Sequence, residues 1–301
     1  MGKIFSPGKL LLTSEYVVLD GALALAVPTQ LGQDFFYEEL EDGRSIIIWE
    51  AYHQNNIWLK TEIDYKNRLI LNSNLKEPAE FILKVLLKVA ELSEAKFKNG
   101  ESYHLKTNLQ FPSNFGLGSS STLMNNLSEW ANIDAFVLND STLGGSGYDI
   151  AVAKEQATVL FQIKENQRIS KKVDFKPLFL KDLIFIHLNQ KQDSREGINL
   201  YRSKPKSFEL IDEFSAITSQ VLKTESLDEF SFLMNEHETK LSEFLGLQTA
   251  KSHYFSDCPS FVKSLGAWGG DFVMASNFDG YKDYFSAKGF RTVISYSELI
   301  R

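Results

Sequence analysis

The sequence has a single cysteine, Cys258, which excludes a disulfide framework and any metal site built on several thiolates. A lone thiol fits a reducing compartment, so a cytoplasmic location is expected. Long apolar runs are missing too. Segments such as Ala22–Val27 fall far short of the roughly 18–20 residues that span a bilayer, and no membrane partner is expected. Pro7, Gly8 and Lys9 interrupt the start, so no signal peptide is expected. Met1–Ser6 fits the myristoylation pattern M-G-x-x-x-[ST], but Ile4 and Phe5 read better as a first buried strand. Positive charge is scarce: 32 Lys and Arg face 39 Asp and Glu, and 32 − 39 gives −7. Nucleic-acid binders carry a basic footprint, so that class is excluded, whereas a local basic pocket for an anionic small molecule is not. The five histidines (53, 104, 187, 237, 253) form no HExxH or i,i+4 pair, and no zinc site is predicted. His237 falls on the apolar face of its helix and reads as a core histidine. GxxxxGK[ST], HRD, DFG and GxSxG are all absent.

What is present is an ordinary globular composition, 43% apolar, long enough at 301 residues for two domains with a boundary near 170–180. The first 75 residues are strand-like, over Lys9–Val18, Ser45–Trp49, Asn56–Asp64 and Arg68–Leu71. Pro78–Ala95 switches to helical spacing, with Phe81, Ile82, Val85, Leu86, Val89 and Leu92 on one face and a Glu80–Lys84 pair on the other. Tyr103–Phe111 alternates as a half-buried strand. Leu183–Leu188 reads as a buried strand, and Ser207–Leu222 and Leu227–Leu245 as helices, the second opened by a Ser226/Glu229 capping box. Pro259–Leu265 reads as a short helix, Gly266–Gly270 as a turn and Asp271–Ser276 as a strand. Strands with helices interspersed in no regular βαβ rhythm predict an α+β fold rather than a doubly wound sheet.

Four segments hold the chemistry. Gly116-Leu117-Gly118-Ser119-Ser120-Ser121 stands at a strand-to-helix junction. Glycines let backbone N–H groups approach an anion, and a helix N-terminus adds unpaired donors. By itself this segment fits a phosphate loop or a Ser-rich helix cap equally. Gly144-Gly145-Ser146-Gly147-Tyr148-Asp149 puts a carboxylate on a glycine-rich turn, as a base or metal ligand or as the N-cap of Ile150–Gln156. Gly266-Ala267-Trp268-Gly269-Gly270-Asp271 is a third glycine turn. In Ser6-Pro7-Gly8-Lys9 a lone Lys enters an otherwise apolar strand.

In this order the four segments resemble the GHMP kinase superfamily of galactokinase, homoserine kinase, mevalonate kinase and phosphomevalonate kinase. Ser6–Val18 is similar to the family's first motif, PGK…GE. Gly116–Ser121 is similar to its GLGSS phosphate loop, and Gly145–Asp149 to its GSGxD segment. Gly266–Asp271 is similar to the GAGGGD of phosphomevalonate kinases, and Gly147–Ala151 spells the GYDIA of a bacterial subgroup. The resemblance implies a two-domain fold: an N-terminal α/β sandwich domain that binds ATP (1–175) and a C-terminal ferredoxin-like domain (176–301). It implies ATP and Mg²⁺ as cofactors, Asp149 and Lys9 as catalytic residues, and the backbone of Gly116, Leu117, Gly118, Ser119, Ser120 and Ser121 as the phosphate cradle. Ser120 would be the metal ligand. Glu15, Tyr16, Lys191, Ser194, Arg195, Gly266, Ala267 and Trp268 would face the acceptor, a small anionic molecule.

The expected activity is phosphorylation of mevalonate or phosphomevalonate by a monomer or homodimer. Mevalonate diphosphate decarboxylase, homoserine or sugar kinase, and a non-catalytic binding protein are the alternatives. The chain departs from the family in three places. Only 26 residues separate Gly118 from Gly145, and after Glu129 only Asp134 and Asp140 are available there as a second metal ligand. Trp268 replaces a glycine of the third motif. Ser-Glu-Tyr stands where Gly-Glu-His is usual, which leans toward phosphomevalonate kinases.

Overall fold

Alternating apolar and polar residues dominate the first third of the chain, and they fold as sheet. The computed structural model describes residues 1–190 and 194–301. The chain divides into two compact units, each discontinuous in sequence. The first comprises Met1–Gly8, Leu31–Ser113 and Gly118–Gln156; the second comprises Lys9–Gln30, Asn114–Leu117 and Ala157–Arg301.

The first unit takes residues 2–8 of β1 (Gly2–Leu11) and 31–40 of β2 (Ala24–Leu40), with β3 (Ile46–His53), β4 (Asn56–Asp64), β5 (Leu69–Ser73) and β6 (Ser102–Leu109). They line up as β5-β4-β3-β6-β2, with β1 also paired to β2. Strand β3 runs parallel to β6, and the β4–β5, β3–β4 and β2–β6 pairs are antiparallel. Four helices complete the unit: α1 (Lys76–Leu92), α2 (Ser119–Ala131), α3 (Ala135–Thr142) and α4 (Tyr148–Glu155). The buried face of α1, through Ile82, Val85, Leu86 and Val89, joins Phe35, Trp49, Tyr103 and Trp130 in one core. Edge-to-face contacts of Trp130 with Phe35, Phe97 and Tyr103, centroids 5.3–5.9 Å apart, lock the rings together.

In the second unit Ala24–Ala26 of β2 pairs with Val159–Phe161 of β7 (Val159–Lys164). Strand β7 turns back as β8 (Gln167–Lys172) through Glu165 and Asn166, both at positive φ as a tight two-residue hairpin requires. Then follow β9 (Leu183–His187), α5 (Ser194–Arg202), α6 (Phe208–Val221), α7 (Leu227–Leu245), α8 (Ala250–Tyr254), β10 (Val262–Leu265), β11 (Phe272–Ser276), α9 (Tyr281–Ala287) and β12 (Val293–Ser295). These strands form an antiparallel sheet in the order β10-β11-β9-β12. Strand–helices–strand–strand–helix–strand in that order is the ferredoxin-like arrangement.

Several local expectations need correction. Pro259–Leu265 is not a helix: Val262–Leu265 is strand β10, because six residues between a proline and a glycine leave too little length for periodicity to decide. The strand expected over Lys9–Val18 ends at Leu11, and Val17–Asp20 is a 3₁₀ turn. Ser226 does cap α7, accepting from the Glu229 N–H, but the Glu229 carboxylate accepts from the Thr224 hydroxyl at 2.6 Å rather than closing a capping box. On α1, Glu80 meets Lys76 at 3.9 Å rather than Lys84.

Gly32 on β2 is a point of close backbone approach. A Cβ there would lie 2.1 Å from the Ser6 carbonyl oxygen and 2.7 Å from the Phe5 ring. Gly32→Ala is expected to destabilise the protein by about 2 kcal/mol through forced separation of β1 and β2. Urea denaturation checks this; an unchanged midpoint would show that the strands can part without penalty.

Candidate functional site

The Gly116–Ser121 segment opens α2 without a side-chain cap. The N-cap residue is Gly118, in the left-handed conformation (φ 83°), and no side chain bonds to the first-turn amides. Ser121 is buried and its hydroxyl donates to the Gly118 carbonyl at 2.8 Å, whereas Ser120 is exposed on the first turn. The serines therefore do not form the Ser-rich cap that the sequence alone allowed. A 13-residue helix with an uncapped start presents the backbone donors that an anion needs.

Asp149 lies one residue inside α4, whose N-cap is Gly147 at φ 93°. Its half-buried carboxylate accepts from the next N–H, that of Ile150, at 3.0 Å. It is thus not the cap of its helix. Helices α2 and α4 pack against each other within the first unit. Asp134 caps α3, accepting from the N–H groups of Phe136 and Val137, so backbone amides already engage that carboxylate. A cavity of about 1160 Å³ in the same unit, lined by Tyr65, Lys84, Lys88 and Phe97 among others, includes neither Ser119–Ser121 nor Asp149 in its wall.

In the second unit Lys9 holds the start of the glycine loop twice. Its N–H donates to the Leu117 carbonyl at 2.9 Å, and its ammonium donates to the Gly116 carbonyl at 3.1 Å. Gly116 (φ 64°) also lies against Asp271: a Cβ there would stand 2.1 Å from a carboxylate oxygen of Asp271. The Leu188 N–H donates to the Asp271 carbonyl, and the Asp271 N–H to that of Gln190, so the third glycine turn is anchored to the end of β9.

Beneath that turn is a cluster of buried charges. Lys263 on β10 is fully buried, and its ammonium donates to Glu15 Oε1 at 2.6 Å and to the Ser264 carbonyl at 2.8 Å. Burial pushes the Glu15 carboxyl above its usual range, and the Lys263 charge opposes this. Burial likewise raises Glu238, whose oxygens accept from the Ala250 N–H and from the Ser264 N–H and hydroxyl. Burial, and secondarily the Lys263 charge, drives His237 well below 6.5. Its Nε2 accepts the Ser14 N–H at 2.6 Å, so it is a neutral acceptor and its 3.3 Å approach to Glu15 is not a charge pair at neutral pH. The turn that carries Glu15 is unusual: Ser14 and Tyr16 have φ of 65° and 62°, costly for non-glycine residues.

Tyr16 is held by neighbours on several sides. Its hydroxyl accepts the Trp268 N–H at 2.6 Å, its ring stacks on Tyr201, and Gly197 of α5 leaves no room for a Cβ beside the hydroxyl. Trp268 is buried with Tyr16, Val17, Tyr201, Phe214 and Leu241, and its indole N–H donates to the Gln248 carbonyl. Trp268 is therefore packed into the core. Ala267 is buried and Gly266 is at φ 74°. Ser194 begins α5 and Arg195, next on that helix, is exposed; Lys191 lies outside the described residues.

No family model and no curated protein matches this sequence. Solved structures do. Mevalonate kinase of Methanococcus jannaschii superposes with a TM-score of 0.69 at 18% identity, over 97% of this chain and 96% of that one. Streptococcus pneumoniae phosphomevalonate kinase, in complex with phosphomevalonate and AMPPNP, gives 0.68 at 16% identity over 98% and 100%. Lactococcus lactis galactokinase with galactose gives 0.65 at 13% over 95% and 88%. This is the GHMP kinase fold. Among the described residues no helix is long and apolar enough to cross a membrane, and no three His, Cys, Asp or Glu side chains gather as a metal site.

Within the GHMP kinase fold the second unit brings together Lys9, Gly116, Leu117, Glu15, Tyr16, Gly266, Ala267 and Trp268, and the first holds Gly118–Ser121 and Asp149. The sequence reading missed Lys263 and Glu238. The available signal was a lone lysine in the mostly apolar run Phe261–Leu265; at Lys9 it was likewise a lone lysine beside apolar residues that drew attention.

The neutral His237 has a pH signature. Its pKa is depressed on folding, so the unfolded chain binds a proton that the native protein does not, and the contribution of His237 to stability falls as pH drops below about 6.5. Relative to His237→Gln, the wild-type protein is expected to lose about 1 kcal/mol between pH 7.5 and 5.5. Paired denaturation curves test this; parallel pH profiles would show that His237 titrates normally.

Proposed function

We propose that the protein is an ATP-dependent small-molecule kinase whose acceptor is mevalonate or phosphomevalonate, with 1–175 as the ATP-binding domain and 176–301 as the C-terminal domain. The observation that carries this reading is the uncapped start of α2, continuous with a glycine loop that Lys9 holds by both its backbone and its ammonium. Free first-turn amides and flanking glycines suit a polyphosphate. The exposed Ser120 hydroxyl suits a Mg²⁺ ligand better than that of Ser121, which is committed to Gly118. Bound Mg²⁺·ATP supplies the phosphoryl group and neutralises its charge.

The chain's own residues do the rest. The loop amides orient the phosphates, and the Lys9 ammonium offsets charge that develops on the transferring group. The Asp149 carboxylate accepts the proton of the acceptor hydroxyl as that oxygen attacks. Structural neighbours include a mevalonate kinase and a phosphomevalonate kinase, which supports the choice of acceptors.

ADP release measured with mevalonate, phosphomevalonate, homoserine and galactose tests the proposal. Turnover of one of the first two at least about tenfold above the others is expected, a difference of about 1.4 kcal/mol in transition-state binding. Turnover confined to homoserine or galactose would reassign the acceptor, and no turnover with any would remove the kinase reading for this set. With the accepted substrate, Asp149→Asn is expected to lower kcat by at least about 10²-fold and leave ATP affinity unchanged. A folded Asp149→Asn protein with normal kcat would remove Asp149 from the chemistry.

A further inference from the structure

Lys263 has no part in the phosphoryl transfer described above, yet among the described residues of the second unit it is a fully buried cation. It has no exposed surface, and its ammonium is fixed by Glu15 Oε1 at 2.6 Å and the Ser264 carbonyl at 2.8 Å. Apolar side chains of similar volume often stabilise a core as well as a buried ion pair does. What the pair supplies in addition is direction, since a carboxylate on an ammonium fixes the chain that carries it. Here that chain is the Thr13–Tyr16 turn, whose φ values at Ser14 and Tyr16 are unfavourable for side-chain-bearing residues and need an external hold.

We propose that Lys263 is a positioning residue: through Glu15 it holds the motif-one turn, and the Tyr16 hydroxyl passes that position to the backbone N–H of Trp268 in the Gly266–Gly270 loop. The loop ends at Asp271, whose carboxylate lies against Gly116 at the start of the phosphate loop. Three segments far apart in sequence (13–16, 263–271 and 116–117) are thereby set by one buried pair. Glu238 fixes the other side of β10, accepting from both the N–H and hydroxyl of Ser264. Tyr16 cannot drift sideways, because Gly197 and Tyr201 pack on its ring and hydroxyl. Glu15 and Tyr16 thus act on bound ligands through the loops rather than by touching the acceptor. The inference rests on the reading of Gly116–Ser121 as a nucleotide loop, and its test separates the two.

The test uses the full chain labelled with 5-fluorotryptophan, which gives signals for Trp49, Trp58, Trp130 and Trp268, the last identified by its loss in Trp268→Phe. Lys263→Met alone leaves a buried carboxylate unpaired, so the working variants are Glu15→Gln/Lys263→Met, which removes both charges, and the milder Tyr16→Phe. Each is expected to shift the Trp268 fluorine signal and leave the other three in place. Each is also expected to weaken binding of AMPPNP with magnesium about tenfold by calorimetry, as for a lost buried hydrogen bond or ion contact. A pair with a purely structural role would lower the melting temperature and leave both readouts of the folded protein at wild-type values, which overturns the proposal. Wild-type protein that binds no AMPPNP overturns the kinase reading, and the fluorine signal then decides the coupling by itself.

Discussion

An ammonium removed from water must find its counter-charge in the fold, and the packing of the second unit around β10 answers to how Lys263 finds it. Strand β10 delivers the lysine, the turn after β1 delivers Glu15, and α7 delivers Glu238 and His237. Breaking such a buried pair by removing one partner typically destabilises by about 3–5 kcal/mol, which makes the arrangement close to all-or-none. The neutral His237 fits the same logic. A second buried cation is not needed beside Lys263, and the imidazole instead serves as acceptor for the Ser14 N–H.

The two lysines of the site show how similar sequence signals lead to different physics. Lys9 near the end of β1 and Lys263 in β10 each have apolar neighbours along a strand that precedes a turn. Lys9 is half-buried and donates its ammonium to the Gly116 carbonyl. Lys263 is sealed off and neutralised from within. Sequence alone does not tell them apart, because burial depends on partners that arrive from residues 15 and 238.

What was legible followed from periodicity and glycine chemistry. Asn56–Asp64 and Leu227–Leu245 match the expected bounds because long, clean alternation and long 3.6-residue spacing admit one reading each. The glycine loop was legible because Gly116, Gly118 and Gly147 occupy positive φ. The turn at Ser14–Tyr16 was not, since its backbone is imposed by tertiary contacts that run against the local preferences of serine and tyrosine. Strand β10 was misread for want of length, and with it went the lysine that it carries.

The discontinuity of the units also bears on how the chain folds. Pairing Ala24–Ala26 with Val159–Phe161 closes a loop of more than a hundred residues, and closure entropy grows with the logarithm of that length. Most of the intervening chain belongs to the first unit. Within that unit, Gly32 packs against Phe5 and Ser6, and Gln156 donates to the Phe5 carbonyl at 3.1 Å. The two ends of the insertion, residues 31 and 156, therefore emerge beside the same pair of residues on β1. Once the first unit has folded, the effective loop between β2 and β7 shrinks to a few residues on either side, and a slow non-local pairing becomes a local one.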